Sequence, residues 1–303
     1  MTESVMTRPV RIATRKSDLA LWQANWVKGR LEMLGRPAEL VLIETQGDRT
    51  QESGVPFRLM PGQGFFTKAV QDAVADGRAD VAVHSHKDLP SARMDGLELA
   101  AVTEREDPRD VLLVRPEAFD PAASPLPLRN GVAVGTSAAR RRAQLLHLRP
   151  DLRVQELRGN VPTRLRKLRE GGYDAVVLAA AGLSRLKLDL SGLEAVWLEP
   201  KLFVPAPAQG ALALEVRTDD FELASLLTDL HDPTTYKGVA AERGLMAMLE
   251  GGCQLALGAY AVLEGGAIEL TAWYEGANVT VSYGSSEGAA MLAFGALGRP
   301  TPV

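Results

Sequence analysis

One cysteine, Cys253, stands in Glu250-Gly251-Gly252-Cys253-Gln254, where paired glycines predict an uncrowded thiol on a flexible loop. A lone cysteine cannot close an intramolecular disulfide, so it is either a small buried apolar group or a reactive sulfur. Asp88, in His84-Ser85-His86-Lys87-Asp88-Leu89-Pro90, directly follows a strand, so a rigid element would hold its carboxylate while letting it project into a ligand crevice. The same residue could simply build an Asx turn ahead of Leu-Pro, and Lys87 could simply pair with a surface acid. His84 and His86, two apart on a strand, would share one face and could supply two metal ligands. No third ligand stands beside them, and no metal site is assigned.

Six arginines carry a different chemistry: Arg15, Arg140, Arg141, Arg158, Arg164 and Arg185. Each lies at or just beyond the end of a predicted strand, or in the first turns of the helix after it. In open α/β sheets the carboxyl ends of the strands face the ligand crevice, and helix N-termini add amide donors for anions. The set therefore points to a cleft for carboxylates or phosphates, although any single arginine could belong to a solvated helix face. No Gly-x-Gly-x-x-Gly or Walker-type loop accompanies them, which speaks against a nucleotide.

The elements that must position these groups alternate between strand and helix. Val10-Arg11-Ile12-Ala13-Thr14 reads as a strand, and Ser17 caps a helix whose Leu19, Trp22, Trp26 and Met33 recur at helical spacing. Leu40–Ile43 is a second strand, followed by a polar, Gly-rich loop through Pro61-Gly62-Gln63-Gly64. A helix from about Thr67 to Asp76, with Val70, Ala73 and Val74 inward, stops at Gly77 before the strand Asp80–His84. The second third repeats the plan. Strand 131–134, the turn Gly135-Thr136-Ser137 and a helix over 138–148 mirror the first strand, turn and helix. A strand 154–157 leads to Arg158-Gly159-Asn160-Val161-Pro162, where Asn160 can cap and Pro162 can enter the first turn of a helix to Glu170. Tyr173–Leu178 then matches Ala79–Val83 in placement, the mark of an internal duplication. Phe203–Gly210, spaced by prolines, reads as a crossing linker before the strand 211–216. A helix over Ala240–Glu250 leads to the cysteine loop and to strands near 259–263 and 268–273. The Gly- and Ala-rich tail, Gly284–Val303, is barely periodic, and no element is assigned to it.

At 303 residues the chain exceeds the size at which one core keeps growing, so two or three domains are expected. Met1 to Arg15 contains no apolar run, so a secretory signal is not expected, and no later stretch is apolar enough to span a bilayer. A cytoplasmic address follows, and an unpaired thiol fits its reducing chemistry. The net charge of −4 disfavours non-specific nucleic-acid binding, so the basic residues must serve a local anion.

Taken together, Arg11–Ser17, His84–Asp88, Glu104-Arg105-Glu106-Asp107-Pro108-Arg109-Asp110, Leu157–Val161 and Leu249–Gln254 closely resemble the porphobilinogen deaminases, also called hydroxymethylbilane synthases. The match runs in order from Arg11 to about Tyr260. The resemblance implies a transferase of tetrapyrrole (heme) biosynthesis. Such an enzyme joins four porphobilinogen molecules head to tail with loss of ammonia, and hydrolyses off hydroxymethylbilane. It implies a covalent dipyrromethane cofactor in thioether linkage to Cys253, and Asp88 as the catalytic carboxylate. By the same resemblance Ser17, Lys87, Asp88, Ser137, Arg140, Arg141, Arg158, Gln209 and Gly210 join Cys253 in binding the cofactor. Arg15, Arg158, Arg164 and Arg185 bind substrate. The implied fold is α/β with three domains. Two are duplicated domains of the type-2 periplasmic-binding-protein kind that form a cleft, 1–104 with 209–230 and 105–204, and the third is a small α+β domain over 231–303. The implied protein is a cytoplasmic monomer that takes a small-molecule substrate and neither nucleic acid nor membrane.

The physical logic agrees with that implication. Each porphobilinogen brings an acetate and a propionate, so negative charge accumulates as the chain grows, and arginine pairs bidentately with carboxylates while staying charged. A buried carboxylate can stabilise the cation left when ammonia departs, and a thioether tether makes successive couplings reactions of a held nucleophile. The sequence also departs from the family pattern. Gln63 stands where a lysine is frequent, and Ala138 where a second serine is common. The C-terminal segment is short, which leaves the last helix of the third domain without support. Two rival readings are a non-catalytic bilobed anion-binding module, which has no use for Cys253, and a metal-dependent hydrolase built on His84 and His86.

Overall fold

The computed structural model describes residues 8–45, 67–249 and 255–298. Gln63 with the loop around it, and Cys253 with its flanking glycines, lie outside the described residues. Close contacts group the chain into two compact units, Met1–Glu104 with Ala211–Pro233 and Arg105–Gly210 with Thr234–Val303.

The first unit is built on a five-stranded sheet in the order β2-β1-β3-β10-β4. Its strands are β1 (Val10–Arg15), β2 (Ala38–Ile43), β3 (Val81–Ser85), β4 (Leu97–Val102) and, from the later part of the chain, β10 (Leu212–Arg217). β1 runs parallel to β2 and β3, whereas β10 is antiparallel to β3 and β4. Alternation along the strands gives the sheet two apolar faces. Ile12, Val81, Val83, Leu214 and Val216 pack with Ala24, Val27 and Leu31 of α1 (Asp18–Met33), and with Leu223 and Leu227 of the helix Phe221–Leu227. Ala13, Ala82 and Ile43 face the other way, onto Val70, Ala73 and Val74 of α2 (Lys68–Ala75). Coverage on both faces explains why Val81-Ala82-Val83 is apolar without interruption.

Ser17 caps α1 as its sequence position suggests, its Oγ accepting the Ala20 N–H at 3.4 Å. The buried stripe of that helix is not the expected one. Gln23, Ala24, Val27 and Leu31 turn inward, whereas Met33 is 77% exposed and Trp22 and Trp26 sit at the flank. The indoles serve the margin of the helix, where Arg30 lies over Trp26 at 5.1 Å.

The second unit repeats the sheet. Its order is β7-β6-β8-β5-β9, from β5 (Asp110–Val114), β6 (Ala133–Gly135), β7 (Arg153–Gln155), β8 (Ala175–Ala179) and β9 (Glu194–Leu198). β6 is parallel to β7 and β8, and β5 is antiparallel to β8 and β9. Strand for strand this is the first sheet again, with β5 in the place of β10. The expected duplication is thus present at the level of topology. α3 (Ala139–Leu148) covers one face through Leu145, while α4 (Val161–Arg169) and α5 (Ala180–Leu186) cover the other through Leu165, Leu168 and Leu183.

The same unit carries an antiparallel meander, β11 (Gly258–Glu264), β12 (Ala267–Tyr274) and β13 (Ala277–Tyr283). Its core is shared with the helices Pro233–Met248 and Ser286–Ala296. The first of these begins well before Ala240. The second occupies the tail to which the sequence reading assigned no element. Ser285 caps it, accepting the Gly288 N–H at 3.2 Å, and its inward face is Ala289, Ala290, Ala293 and Phe294. A face made mostly of alanine carries little hydrophobic contrast against glycine and alanine neighbours, which is why the periodicity escaped notice.

Glu242, fully buried, ties this layer to the second sheet's linker. It takes a two-pronged ion pair from Arg105 at 2.6 and 3.2 Å and accepts the backbone N–H groups of Ala208 and Ala261 at 2.6 and 2.8 Å. Every lone-pair direction of a buried carboxylate is thereby used, which is what makes its burial tolerable.

Candidate functional site

In the first unit, the turn after β1 and the turn after β3 open at the same end of the sheet, because the two strands pair in parallel at Ile12↔Val81 and Ala13↔Ala82. Arg15 ends β1, Ser17 starts α1, and β3 passes at Ser85 into a short 3-10 turn, His86–Asp88. Arg15, Ser17, Gln23, His84, Ser85 and Asp88 line one open pocket there. Three expected site residues, Arg15, Ser17 and Asp88, thus share a wall. Lys87, half-buried, lies in the same turn as Asp88.

The two histidines part company. β3 ends at Ser85, so His86 begins the turn instead of continuing the strand's alternation. The buried His84 ring places Nε2 3.2 Å from Glu215 Oε2, which also accepts the Gln71 side-chain amide at 2.9 Å. Among the described residues no group of three or more His, Cys, Asp or Glu side chains could hold a metal ion.

In the second unit the loop Leu157–Asn160 is fixed from several sides. Asn160 Oδ1 caps α4 by accepting the Thr163 N–H at 2.9 Å, and Pro162 occupies its first turn. Gly159 has φ +112°, and a Cβ there would collide with the Thr163 side chain. Lys167 Nζ donates to the Arg158 carbonyl at 3.1 Å, and the Ser137 hydroxyl donates to the Leu157 carbonyl. Arg158 Nε donates to Glu156 at 2.9 Å, and Arg164 Nε donates to the Gly159 carbonyl at 2.8 Å. Both side chains are only partly buried.

Arg140 and Arg141 depart from the expectation that the whole set faces a ligand. Both are 5% exposed and both turn to Asp110, which lies wholly inside. Arg140 donates to Asp110 at 2.6 Å and to the Val204 carbonyl at 2.7 Å. Arg141 donates to Asp110 at 2.7 and 3.2 Å and to the Val177 carbonyl at 2.9 Å. Burial by itself would raise the Asp110 carboxyl, but the charges of Arg140 and Arg141 and the Gln209 amide hold it well below the usual carboxylate range. The cause is positional: both arginines sit in the first turn of a helix that covers β5, so their forks meet the acid at its start.

Gln209 and Gly210 share this internal role. The Gln209 amide, 1% exposed, donates to the Pro108 carbonyl at 2.8 Å and to Asp110 at 3.0 Å. Gly210 has φ +95°, a Cβ there would run into the Glu106 carbonyl, and its own carbonyl accepts from Arg185 at 2.7 Å. Burial lowers the Arg185 guanidinium to about 10, against the opposing pull of Glu106, so it stays a cation at neutral pH. Sequence reasoning missed Asp110, Glu215, Glu242, Gln23 and Ser85. Ser85 and Asp110 both stand in motifs of the sequence, but nothing in one sequence marks the Ser85 hydroxyl as a site group or pairs Asp110 with arginines thirty residues on.

Two doubly covered α/β sheets, each with arginines near its strand ends, and an added α+β layer define an α/β protein with donors suited to anionic ligands. The chain belongs to the porphobilinogen deaminase family. The family model described as "Porphobilinogen deaminase, dipyromethane cofactor binding domain" matches residues 10–225, and that of the family's C-terminal domain matches 236–284. The porphobilinogen deaminase of Shouchella clausii is 48% identical over 267 residues, covering 87% of this chain and 83% of that one. That of Pelobacter propionicus is 46% identical over 265 residues, covering 87% and 82%. Among solved structures, the periplasmic VFT2 domain of Bordetella pertussis BvgS aligns at 18% identity and a TM-score of 0.44, covering 73% of this chain and 86% of that one. Membership makes the chain a transferase of tetrapyrrole synthesis with a dipyrromethane-binding domain.

Proposed function

We propose that this chain condenses four porphobilinogen molecules into hydroxymethylbilane, with Asp88 as the catalytic carboxylate, Arg15 as a neighbouring substrate contact and Ser17 as a cofactor contact beside it. The observation that carries these assignments is the shared wall at the ends of β1 and β3, where a cation, a hydroxyl and a carboxylate line one pocket. Each condensation breaks the aminomethyl C–N bond, expels ammonia, and forms a carbon–carbon bond with loss of a pyrrole α-proton.

The donor set fits a dipyrromethane, whose acetate and propionate groups call for fixed cations. Lys87, Ser137 and Arg158 would hold it, with Cys253 as its thioether anchor, while Arg164 binds substrate. When bound, it supplies the pyrrole carbon to which the first substrate is joined. Arg140, Arg141, Gln209 and Gly210 act one step back: they fix β5 and the 203–210 linker. Arg185, a buried cation beside the Gly210 carbonyl, serves substrate carboxylates. Asp88 stabilises the cation left when ammonia departs, and accepts pyrrole N–H hydrogen bonds. We further propose the boundaries 1–104 with 209–230, 105–204 and 231–303 for the three domains, and a monomer acting in the cytoplasm. No helix among the described residues is long and apolar enough to cross a membrane.

Asp88→Asn tests the reading, because it keeps size and turn-forming bonds while removing the charge. Single-turnover ammonia release should fall by roughly 10²–10³-fold, by analogy with loss of one preorganised oxyanion donor. The rate is taken on molecules shown by intact mass to carry the cofactor. Near-normal release would take Asp88 out of the mechanism.

A further inference from the structure

Gln23 is a buried polar side chain that the assignments above leave unused. It lies on the inward face of α1, only 3% exposed, among Ala24, Val27 and Leu31. Its side-chain nitrogen donates to Ser85 Oγ at 2.7 Å. Ser85 is the last residue of β3, its backbone paired with Leu212 of β10, so its Cβ is held by the sheet. Both side chains line the pocket that contains Arg15, Ser17 and Asp88.

A side-chain amide nitrogen can only donate, so the Ser85 oxygen is the acceptor in this bond and its own proton has to be given elsewhere. Ser17 is in the same condition, since its Oγ accepts from the Ala20 backbone. Two hydroxyls that each accept from the protein are thereby left to donate, beside the Arg15 guanidinium. The pocket is sorted by polarity: Arg15, Ser17 and Ser85 donate, and Asp88 receives.

We infer that Gln23 is a positioning residue that aims the Ser85 hydroxyl into the pocket, where Ser85 donates a hydrogen bond to a carboxylate of the substrate. The inference rests on the functional reading above and extends it by naming a neutral donor that works beside Arg15. The ligand class that matches is a small ring bearing carboxylates and an N–H. A neutral hydroxyl contributes direction without adding charge, so it discriminates where the carboxylate lies and not merely that an anion is present.

The test uses the holoprotein and begins with wild-type turnover of porphobilinogen. A wild type inert toward that substrate would overturn the functional reading and this inference with it. Given turnover, Gln23→Glu is the informative variant, because its two oxygens accept and so draw the Ser85 proton inward. We expect kcat/KM for porphobilinogen to fall on the order of tenfold, mainly through KM, in Gln23→Glu and equally in Ser85→Ala. The double variant should be no worse than Ser85→Ala alone. Gln23→Met, which keeps the volume and removes the polarity, covers the case in which a buried carboxylate hinders folding; it should cost less than Gln23→Glu and nothing in the Ser85→Ala background. Wild-type KM in both Gln23 variants overturns the inference, as does a Gln23 penalty that persists in full without the Ser85 hydroxyl.

Discussion

Arg141 and Arg158 look alike in the sequence, yet the structure gives them opposite environments and therefore opposite expected losses. Arg141→Leu leaves a fully buried carboxylate short of two bonds, and breaking a buried pair from one side costs about 3–5 kcal/mol. Arg158 is only partly buried and pairs with the exposed Glu156, and a pair with a solvent-exposed partner contributes about 0–1 kcal/mol. Urea unfolding should therefore show a large loss for Arg141→Leu and little for Arg158→Leu, while elongation kinetics should show the reverse emphasis. Equal stability losses would erase the distinction. The same acid sets a pH dependence. The folded Asp110 carboxyl titrates below its unfolded value, so the stability it contributes is complete above about pH 4 and is lost as pH falls further toward the folded value. Acid unfolding monitored by circular dichroism should begin at distinctly higher pH in Arg141→Leu than in the wild type.

Among the elements, those with strong local punctuation were legible. Ser17 and Asn160 cap the helices they were expected to cap, and Pro162 sits in the first turn as its fixed φ allows. Position was less legible than existence. The indoles of α1 suggested one face, and the sheet took the face of Gln23, Ala24, Val27 and Leu31. The Ala-faced helix Ser286–Ala296 lacked the contrast that periodicity needs. At the site, the positions of Arg15, Ser17 and Asp88 followed from where strands end, whereas the capture of Arg140 and Arg141 by Asp110 depends on pairing between distant elements. The linker offers a test of local geometry. Ala208 adopts φ +61° and Gly210 φ +95°, and only the glycine stands where a Cβ would strike a carbonyl. Gly210→Ala should then cost at least about 1–3 kcal/mol of stability, measured as a fall in Tm. Ala208→Gly should be neutral or stabilising at that site, since it relieves a left-handed alanine. A Gly210→Ala protein as stable as wild type would contradict the clash.

At the scale of the whole molecule, Glu242 ties the second unit together, and the proposed chemistry depends on Cys253. Glu242 joins Arg105, the Ala208 turn and β11 through one carboxylate, so Glu242→Ala should destabilise by about 3–5 kcal/mol. Its kinetic cost should track the fraction folded. The cysteine makes a claim that stability cannot answer. In a chain with one thiol, covalent attachment of a dipyrromethane has a single sulfur to use. Intact denatured protein from cells that make porphobilinogen should therefore exceed the sequence mass by two linked pyrrole units. Cys253→Ala should return to the bare mass. Acidic aldehyde reagent should colour the wild type and not the variant. A bare wild-type mass would remove the cofactor from this chain; extra mass that persisted in Cys253→Ala would leave the cofactor and move its anchor. Arg158→Leu adds a second measure, since a cofactor held through its carboxylates should load more slowly in that variant while its final linkage stays the same.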